Sequence, residues 1–373
     1  MATKFRVFTR RFLFFVNIGL VFFFLLSCLV PYLHPQRWWF ISFLGLAFPF
    51  LLLLVILFLS FWLIVLKPRY ALLPGIALLL GLKSITVFLS FHTPRAFNYK
   101  KEPGRIRVVS WNVARFIELK RNNNAGSEKR LKMFELIKKQ DADVLCLQEF
   151  HTSTDSAYYD NIAPIQKELG YPYYYFSFDE DGDNHYYSSI IFSRYPIIDS
   201  GKVRYPRPTL PDVLLQVDLK VNNDTIRVYT THLQSNQFGK KDYERLGKIK
   251  SGDDSLVTNS RSILSKLKRG VSYRAIQADI VDEVLDNSPY PLIFCADLND
   301  VPNSYAYFTA RGDLQDAFLK KGFGIGRTFA AISPTLRIDY IFAGKEFRIR
   351  QFNRIVRNLS DHYMLVADLE LKK

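Results

Sequence analysis

The sequence predicts two structural classes in series: an all-α membrane segment over residues 1–94, then an α/β layered domain over residues 105–373. Three observations lead there. Residues 1–94 carry eight Lys or Arg and no Asp or Glu, and three apolar stretches fill them. From Arg105 the pattern changes to short strand-like runs interleaved with a few segments of helical period. Between the two, His92 to Gly104 (HTPRAFNYKKEPG) is polar and holds two prolines, which marks residues 95–104 as a linker.

The apolar stretches run from Phe12 to Val30, from Trp39 to Leu66 and from Ala71 to Phe91. About 20 apolar residues cross the hydrocarbon of a bilayer, so each is long enough for a transmembrane helix. Three spans are expected; two spans plus a re-entrant or interfacial segment is the rival. The third stretch carries Lys83, which has to snorkel or face neighbouring helices. The first is longer than the apolar core of a signal peptide, no clean small-x-small site follows it, and two more stretches come after. Tyr32, Trp38, Trp39 and Tyr70 stand at span ends, as interface anchors do.

Flanking charge sets the expected orientation. Lys4, Arg6, Arg10 and Arg11 precede the first span, Lys67 and Arg69 fill the second loop, and the first loop has only Arg37. Positive charge favours the cytoplasmic side. The N-terminus is therefore expected in the cytoplasm, and everything after Phe91 outside, in the inner or plasma membrane of a bacterium. Arg95, Lys100, Lys101, Arg105 and Arg107 follow the third span closely and count against that orientation.

All 35 acidic residues follow Pro94, so the second domain is only mildly basic although the chain carries a net +15. That suits an anionic substrate or a membrane surface, and equally a solvated lysine-rich face. Three scattered cysteines are too few for a disulfide framework. Cys146 in VLCLQ and Cys295 in LIFCAD read as buried free thiols.

In the second domain IRVVSWNV, DVLCLQEF, SSIIFSRYPI, DVLLQVDLKV, TIRVYTTHL, PLIFCADLND, RIDYIFAG and LVADLELK read as strands. DVLCLQEF is apolar at consecutive positions, as a strand buried on both faces is. Lys129 to Lys139 and Ser260 to Leu285 read as helices. Gln234 to Thr258 is rich in Lys, Asp, Ser and Gly and lacks a period; it is expected to be a surface insertion beside the site. The aromatic run Tyr171 to Phe176 fits either core packing or the wall of a substrate groove.

Polar groups recur where these strands end. Asn112 ends VVSWN, Glu149 ends VLCLQE and His232 ends RVYTTH. Asp297 and Asn299 end LIFCADLN, Asp339 lies in RIDYIF, and Asp361 and His362 lie in the loop SDH. Singly each has a bland reading: a strand-end cap, a solvated carboxylate, an Asx-turn. Asp339 between Ile and Tyr resists that reading, because a buried carboxylate needs a partner and a histidine is a natural one. Together the groups suit phosphoester hydrolysis. That chemistry needs hard oxygen ligands for a divalent cation, a base for water, and donors for the charged transition state.

The ordered series WNV, QE, SRYPI, THL, DLN, RIDYIF and SDH resembles the endonuclease/exonuclease/phosphatase superfamily, over roughly Arg105 to Lys373. Single motifs are weak and the ordered set is strong. The resemblance, to a membrane-anchored bacterial-type member, implies a four-layered α/β/β/α sandwich and a bound Mg²⁺, with Mn²⁺ as the alternative. It implies that Asn112, Glu149 and Asp361 lie at the metal, with Glu149 the principal ligand. It makes His232 the histidine that contacts the scissile phosphate, with a general-acid role. Asp297 is implied to orient or deprotonate the attacking water, Asn299 to hold phosphate or water, and His362 to contact a phosphate oxygen. Asp339 is implied to bond His362 and set its tautomer. Whether Asp297 or His362 is the base stays open. Ala296 departs from the family's usual glycine before the aspartate, which puts the placement of Asp297 in question.

The expected function is membrane-anchored hydrolysis of a phosphate ester by metal-activated water, as a phosphodiesterase, nuclease or phosphatase. The substrate would be a nucleic acid, a phospholipid headgroup or a soluble phosphoester, and the bilayer is the other expected partner. Nothing in the sequence marks an obligate protein partner. A catalytically inactive binding or scaffolding domain on an anchor is the alternative. Three spans with one internal charge make a transporter a poor fit.

Overall fold

Apolar runs from Ile106 onward build two sheets that turn one face toward each other. The computed structural model describes residues 2–93, 95–117, 127–155, 157–179, 184–209, 212–239, 241–242, 244 and 256–372. The first sheet runs, in spatial order, β13 (Phe347–Ile355), β14 (Met364–Leu371), β2 (Ile106–Asn112), β3 (Val144–Ser153), β5 (His185–Ser193) and β4 (Tyr173–Phe176). The second runs β10 (Gln315–Asp316), β12 (Asp339–Ala343), β9 (Leu292–Asp297), β8 (Asp224–His232), β7 (Val213–Val221) and β6 (Ile197–Arg204).

Each sheet contains one parallel pair, β2 with β3 and β8 with β9, among antiparallel neighbours. Parallel strands need a crossover. The segment holding α5 (Glu128–Gln140) makes the first crossover, and that holding α7 (Leu256–Asp286) the second, with the short α6 (Ile162–Lys167) between β3 and β4. Ser127 caps α5 by accepting the Arg130 amide at 3.2 Å, which fixes where that helix starts.

The core has three apolar levels, which makes four layers. Between the sheets, Val108, Cys146 and Ile191 meet Leu215, Val228, Ile293 and Ile341. Met133, Phe134 and Ile137 of α5 cover Val109, Leu145 and Leu147 on the outside of the first sheet. Ala278, Val281 and Leu285 of α7 cover Tyr229, Phe294 and Phe342 on the outside of the second. Each such fully buried aliphatic side chain contributes about 1.5–3 kcal/mol. Strands sandwiched on both faces explain why VLCLQ and LIFCA are apolar without alternation. The architecture is the expected α/β/β/α sandwich. Cys146 and Cys295 are free thiols buried within it. Tyr171 and Phe176 are buried on its helix side, so the core reading of that aromatic run holds for both.

Before the sandwich come α1 (Ala2–Cys28) and α2 (Pro35–Ile64), both long and apolar enough to cross a membrane. The third apolar stretch differs from the single helix expected over residues 71–91. It is a pair, α3 (Pro68–Leu80) and α4 (Leu82–Phe88), bent by 63°. Gly81 stands at the bend under the ring of Phe24, and a Cβ there would meet that ring at 2.7 Å. Phe24, Phe48, Val55, Ala77 and Phe88 form the core of the helical part.

The helical part is docked on the sandwich. Ser90–Phe91 (β1) pairs antiparallel with Phe323–Gly324 (β11). Arg337 Nη2 donates to the Val87 carbonyl at 2.5 Å, Asn303 Nδ2 donates to the Ser27 carbonyl at 3.0 Å, and His34 Nε2 lies 3.1 Å from Asp279 Oδ2. Lys83, the charge inside the third stretch, holds its ammonium over the rings of Tyr32 (4.9 Å) and Phe308 (5.3 Å). The linker is tied down as well: the buried Arg107 guanidinium donates to the carbonyls of Asn98 and Tyr99 at 2.9 and 2.8 Å.

Candidate active site

The C-terminal ends of the two parallel pairs point the same way, so polar groups at the ends of β2, β3, β8 and β9 converge. Asn112 pairs with Gln148 in the first sheet, and His232 pairs with Asp297 in the second. β12 starts beside them, with Asp339 opposite Asp297. A crevice at strand C-termini is where open α/β sheets bind ligands.

Glu149 reaches this crevice through a bulge. The β3–β5 ladder is irregular between Leu147 and Phe150, and Glu149 has φ +49°. Strict alternation would send consecutive side chains to opposite faces. The bulge instead lets Gln148 bridge to Thr230 in the other sheet at 2.9 Å while Glu149 aims its carboxylate at the crevice. Asn299 likewise sits at φ +51°, held by its own Nδ2 on the Leu233 carbonyl at 2.9 Å. A left-handed non-glycine residue costs about 1–2 kcal/mol, sustained here by the fixed contacts around it.

The carboxylates meet through one amide. Asn112 Nδ2 donates to Glu149 Oε1 at 3.2 Å and to Asp297 Oδ2 at 2.9 Å, while its Oδ1 accepts the Ala114 amide at 3.0 Å. Two carboxylates accept only, so the amide orientation follows from its partners. Asp297 is fully buried, and its Oδ1 takes the Asn299 amide at 2.9 Å. Ala296, the departure from the family's glycine, buries its methyl among Phe294, Leu298 and Tyr340 on the helix side of the second sheet, away from the crevice.

Two histidines complete the cluster, each with Nδ1 on a carboxylate. His362 Nδ1 lies 3.0 Å from both oxygens of Asp339 and 3.6 Å from Asp297 Oδ2. His232 Nδ1 lies 3.0 Å from Asp212 Oδ2; its Nε2 is 3.6 Å from Glu149 and 3.8 Å from Asp297. Burial works to lower the pKa of both rings. The bond to Asp212, with the charges of Asp212, Asp297 and Glu149, outweighs it and raises His232 to about 10. The charges of Asp339 and Asp297, the bond to Asp339 and the charge of Asp361 raise His362 to about 10. Burial also raises Asp339, against the opposing pull of His362.

The loops are braced. Trp111 Nε1 donates to the His362 carbonyl at 3.0 Å, Ser360 Oγ donates to the Asn112 carbonyl at 2.8 Å, and the Phe329 ring lies 4.9 Å from the His362 ring. Asp361 is exposed at the rim. A cavity of about 210 Å³ opens here, lined by Glu149, Asn299, Asp361 and His362 among others.

All eight residues singled out in the sequence therefore surround one crevice. Asp212 was missed, although the hairpin turning at Asn222 and Asn223 pairs Leu214 with Thr231 and so leaves Asp212 beside His232. Arg274 was also missed. It projects from α7 into the cavity wall, where Nε donates to Asp300 at 2.9 Å and Nη1 to the Gln234 carbonyl at 3.0 Å. Of the expected insertion from Gln234 to Thr258, residues 240, 243 and 245–255 lie outside the described residues, while Ser235 to Phe238 line the cavity.

The donors fit a hard divalent cation. Glu149, Asp297, Asp339 and Asp361 gather negative charge at one point, and oxygen ligands are what Mg²⁺ and Mn²⁺ take. Among the described residues, the ligand atoms of Asp297, Asp339 and His362 all lie within 4.8 Å of one another. The Asp339–His362 contact occupies Nδ1, however, so that imidazole is better placed to donate from Nε2 than to ligate.

A two-sheet sandwich with an acid–imidazole cluster at one open end is a scaffold that can hold a hard divalent cation beside two histidines. The family model for the endonuclease/exonuclease/phosphatase family matches residues 109–362, and the chain belongs to that family. Residues 10–88 match a domain of unknown function. The endonuclease/exonuclease/phosphatase of Beutenbergia cavernae is similar at 20% identity, over 72% of this chain and 72% of that one, with a TM-score of 0.50. The human Nocturnin catalytic domain with bound sulfate anion is similar at 19% identity, over 72% and 95%, with a TM-score of 0.49. A family protein from Bacteroides thetaiotaomicron is similar at 18% identity, over 72% and 98%, with a TM-score of 0.46. At 20% identity the first of these likenesses is one of fold alone. No curated protein matches the chain.

Proposed function

We propose that the protein is a membrane-anchored, Mg²⁺-dependent phosphoester hydrolase whose catalytic part, residues 105–373, faces the extracytoplasmic side. The observation that carries this reading is the convergence of Asn112, Glu149, His232, Asp297, Asn299, Asp339, Asp361 and His362 on one crevice. Glu149 would be the principal ligand of the ion, with Asn112 and Asp361 beside it. Bound there, Mg²⁺ or Mn²⁺ would neutralise charge on the phosphate oxygens.

The chain's own groups divide the remaining work. Asn299 holds the water, and Asp297 takes its proton. His362, kept protonated by Asp339 and Asp297, donates from Nε2 to a phosphate oxygen; its raised pKa supports Asp297 rather than His362 as the base. His232, fixed by Asp212, donates a proton to the leaving oxygen. Such positioned donors act in a water-poor site where they are worth several kcal/mol each.

Orientation has its own support. The sandwich touches Ser27, His34 and Val87, near the ends of α1 and α4 and the start of α2. Arg6, Arg10 and Arg11 lie at the opposite end of α1, and Lys67 and Arg69 follow α2 at that same end. The basic side favours the cytoplasm, which leaves the sandwich outside.

The decisive assay uses the full chain in detergent with a bis-aryl phosphodiester. Hydrolysis should require Mg²⁺ and stop in chelator, and Glu149→Ala and His362→Ala should each lose about 10²–10³-fold in kcat. Full activity in either variant refutes the assignments. A folded chain that binds phosphate esters yet turns none over establishes the scaffolding alternative.

A further inference from the structure

One wall of the catalytic cavity is a membrane helix. Ser42 and Leu46 of α2 line it together with Glu149, Asn299, Asp361 and His362. They are four residues apart, hence on one face of the helix. Gly45 between them allows the approach: a Cβ there would fall 2.5 Å from the Asn303 carbonyl oxygen of the sandwich. Phe238, Val271, Ile332 and Leu336 also line the cavity, so it is ionic at the sheet ends and apolar toward α2.

The depth of that wall follows from helix length. α2 spans Pro35–Ile64 with a break at Trp38 (φ −116°, ψ 30°), and its residues from Trp39 to Ile64 run about 39 Å at 1.5 Å per residue. Hydrocarbon about 30 Å thick takes about 20 of them. Lys67 and Arg69 come directly after α2 and mark one membrane surface. Counting back about 20 residues from Ile64 reaches Gly45. Ser42 and Leu46 therefore straddle the border between hydrocarbon and headgroups on the sandwich side. Trp38 and Trp39 stand just beyond it, and Lys268 of the sandwich holds its ammonium 4.6 Å over the Trp39 ring.

We infer that the scissile phosphoester belongs to a membrane lipid, whose headgroup enters the cavity along α2 while its chains stay in the bilayer. The inference rests on the hydrolase reading and narrows its substrate. Water oxygen bonds to phosphorus and one P–O ester bond breaks. The water's proton passes to Asp297, and the leaving oxygen takes a proton from His232. Among the described lining residues, Arg274 is the one Arg or Lys, and Asp300 and Gln234 already hold it. Among the described lining residues, then, there is no basic track of the kind that binds a nucleic-acid backbone.

The test reconstitutes the full chain with Mg²⁺ in vesicles of total polar lipid extract and follows phosphorus release by ³¹P NMR. Parallel arms supply the deacylated, water-soluble glycerophosphodiesters of the same lipids, single-stranded oligonucleotides and a bis-aryl phosphodiester. The expected result is turnover of bilayer lipid with kcat/KM about tenfold or more above the deacylated diesters. Leu46→Arg, and the milder Leu46→Ala and Ser42→Trp, should lower the ratio of lipid to bis-aryl rates, by about tenfold for the arginine. Leu53→Ala, on the same helix and 55% exposed, should leave that ratio as it is. Bis-aryl turnover without lipid turnover, equal rates on lipid and deacylated diester, or faster cleavage of oligonucleotides overturns the lipid assignment and leaves the hydrolase standing. No turnover in any arm overturns both.

Discussion

Asp212 accepts the Nδ1 proton of His232 at 3.0 Å, which leaves Nε2 facing Glu149 and Asp297. Asp212→Asn keeps the shape and removes the charge that holds the ring protonated. It should lower kcat about 10–100-fold, as loss of a group behind a catalytic imidazole does, with little change in KM. An unchanged kcat would show that His232 works without it. The two histidines also set a pH dependence. Both are raised from 6.5 to about 10 in the metal-free fold. Groups raised on folding stabilise fully below the unfolded pKa and lose that contribution as pH rises through the folded one. Metal-free protein should therefore lose thermal stability from pH 6.5 toward 10. Divalent metal should bind more tightly over the same range, because its charge displaces the protons. A melting temperature flat across that window, followed by calorimetry in chelator, would contradict both statements. Each of the eight residues named from the sequence stands at the end of a strand or beside one, where a motif is readable. Asp212 escaped because its role depends on hairpin register, and Arg274 because a helical arginine looks like any other surface charge.

At the scale of elements, the two features that make the site are a bulge and a contact without side chains. The bulge at Gln148 and Glu149 is invisible in DVLCLQEF, since nothing in an apolar run says where alternation fails. The same holds for the bend at Gly81, which turns an apparently continuous apolar stretch into α3 and α4. Strands β4, β6 and β13 were not read from sequence at all. They lie at or next to sheet edges, where polar residues such as those of FRIRQFNRI face solvent and hide the apolar pattern. The backbone contact of Gly45 with Asn303 yields a direct test. Gly45→Leu should push α2 off the sandwich, at a cost of about 1–3 kcal/mol, and make the join between the two parts more open to protease. Gly19→Leu is the control, since a Cβ there meets nothing within 4 Å. Equal protease resistance in the two variants would mean that the contact does not hold the parts together.

For the whole molecule, the fold of each part was readable: long apolar helices first, then a layered α/β core. Apolar stretches of that length are long enough to form spanning helices, and apolar strand runs linked by helices need a layered core. How the parts sit together was not readable, since it rests on isolated contacts such as those of His34, Asn303 and Arg337. The orientation can be measured. Alkaline phosphatase fused after Lys373 should be active and a cytoplasm-only fluorescent reporter dark, with the converse at the N-terminus. A bright C-terminal reporter would reverse the assignment.

The short pairing of Ser90–Phe91 with Phe323–Gly324 decides where the chain can be cut. A fragment begun at Arg95, the obvious place from the linker, would leave the backbone of Phe323–Gly324 unpaired, an open strand edge that invites association. It would also take away the Val87 carbonyl that receives the buried Arg337, a loss of about 1–3 kcal/mol. A fragment begun at Leu82 keeps both, so the sandwich carries the last turns of the helical part with it.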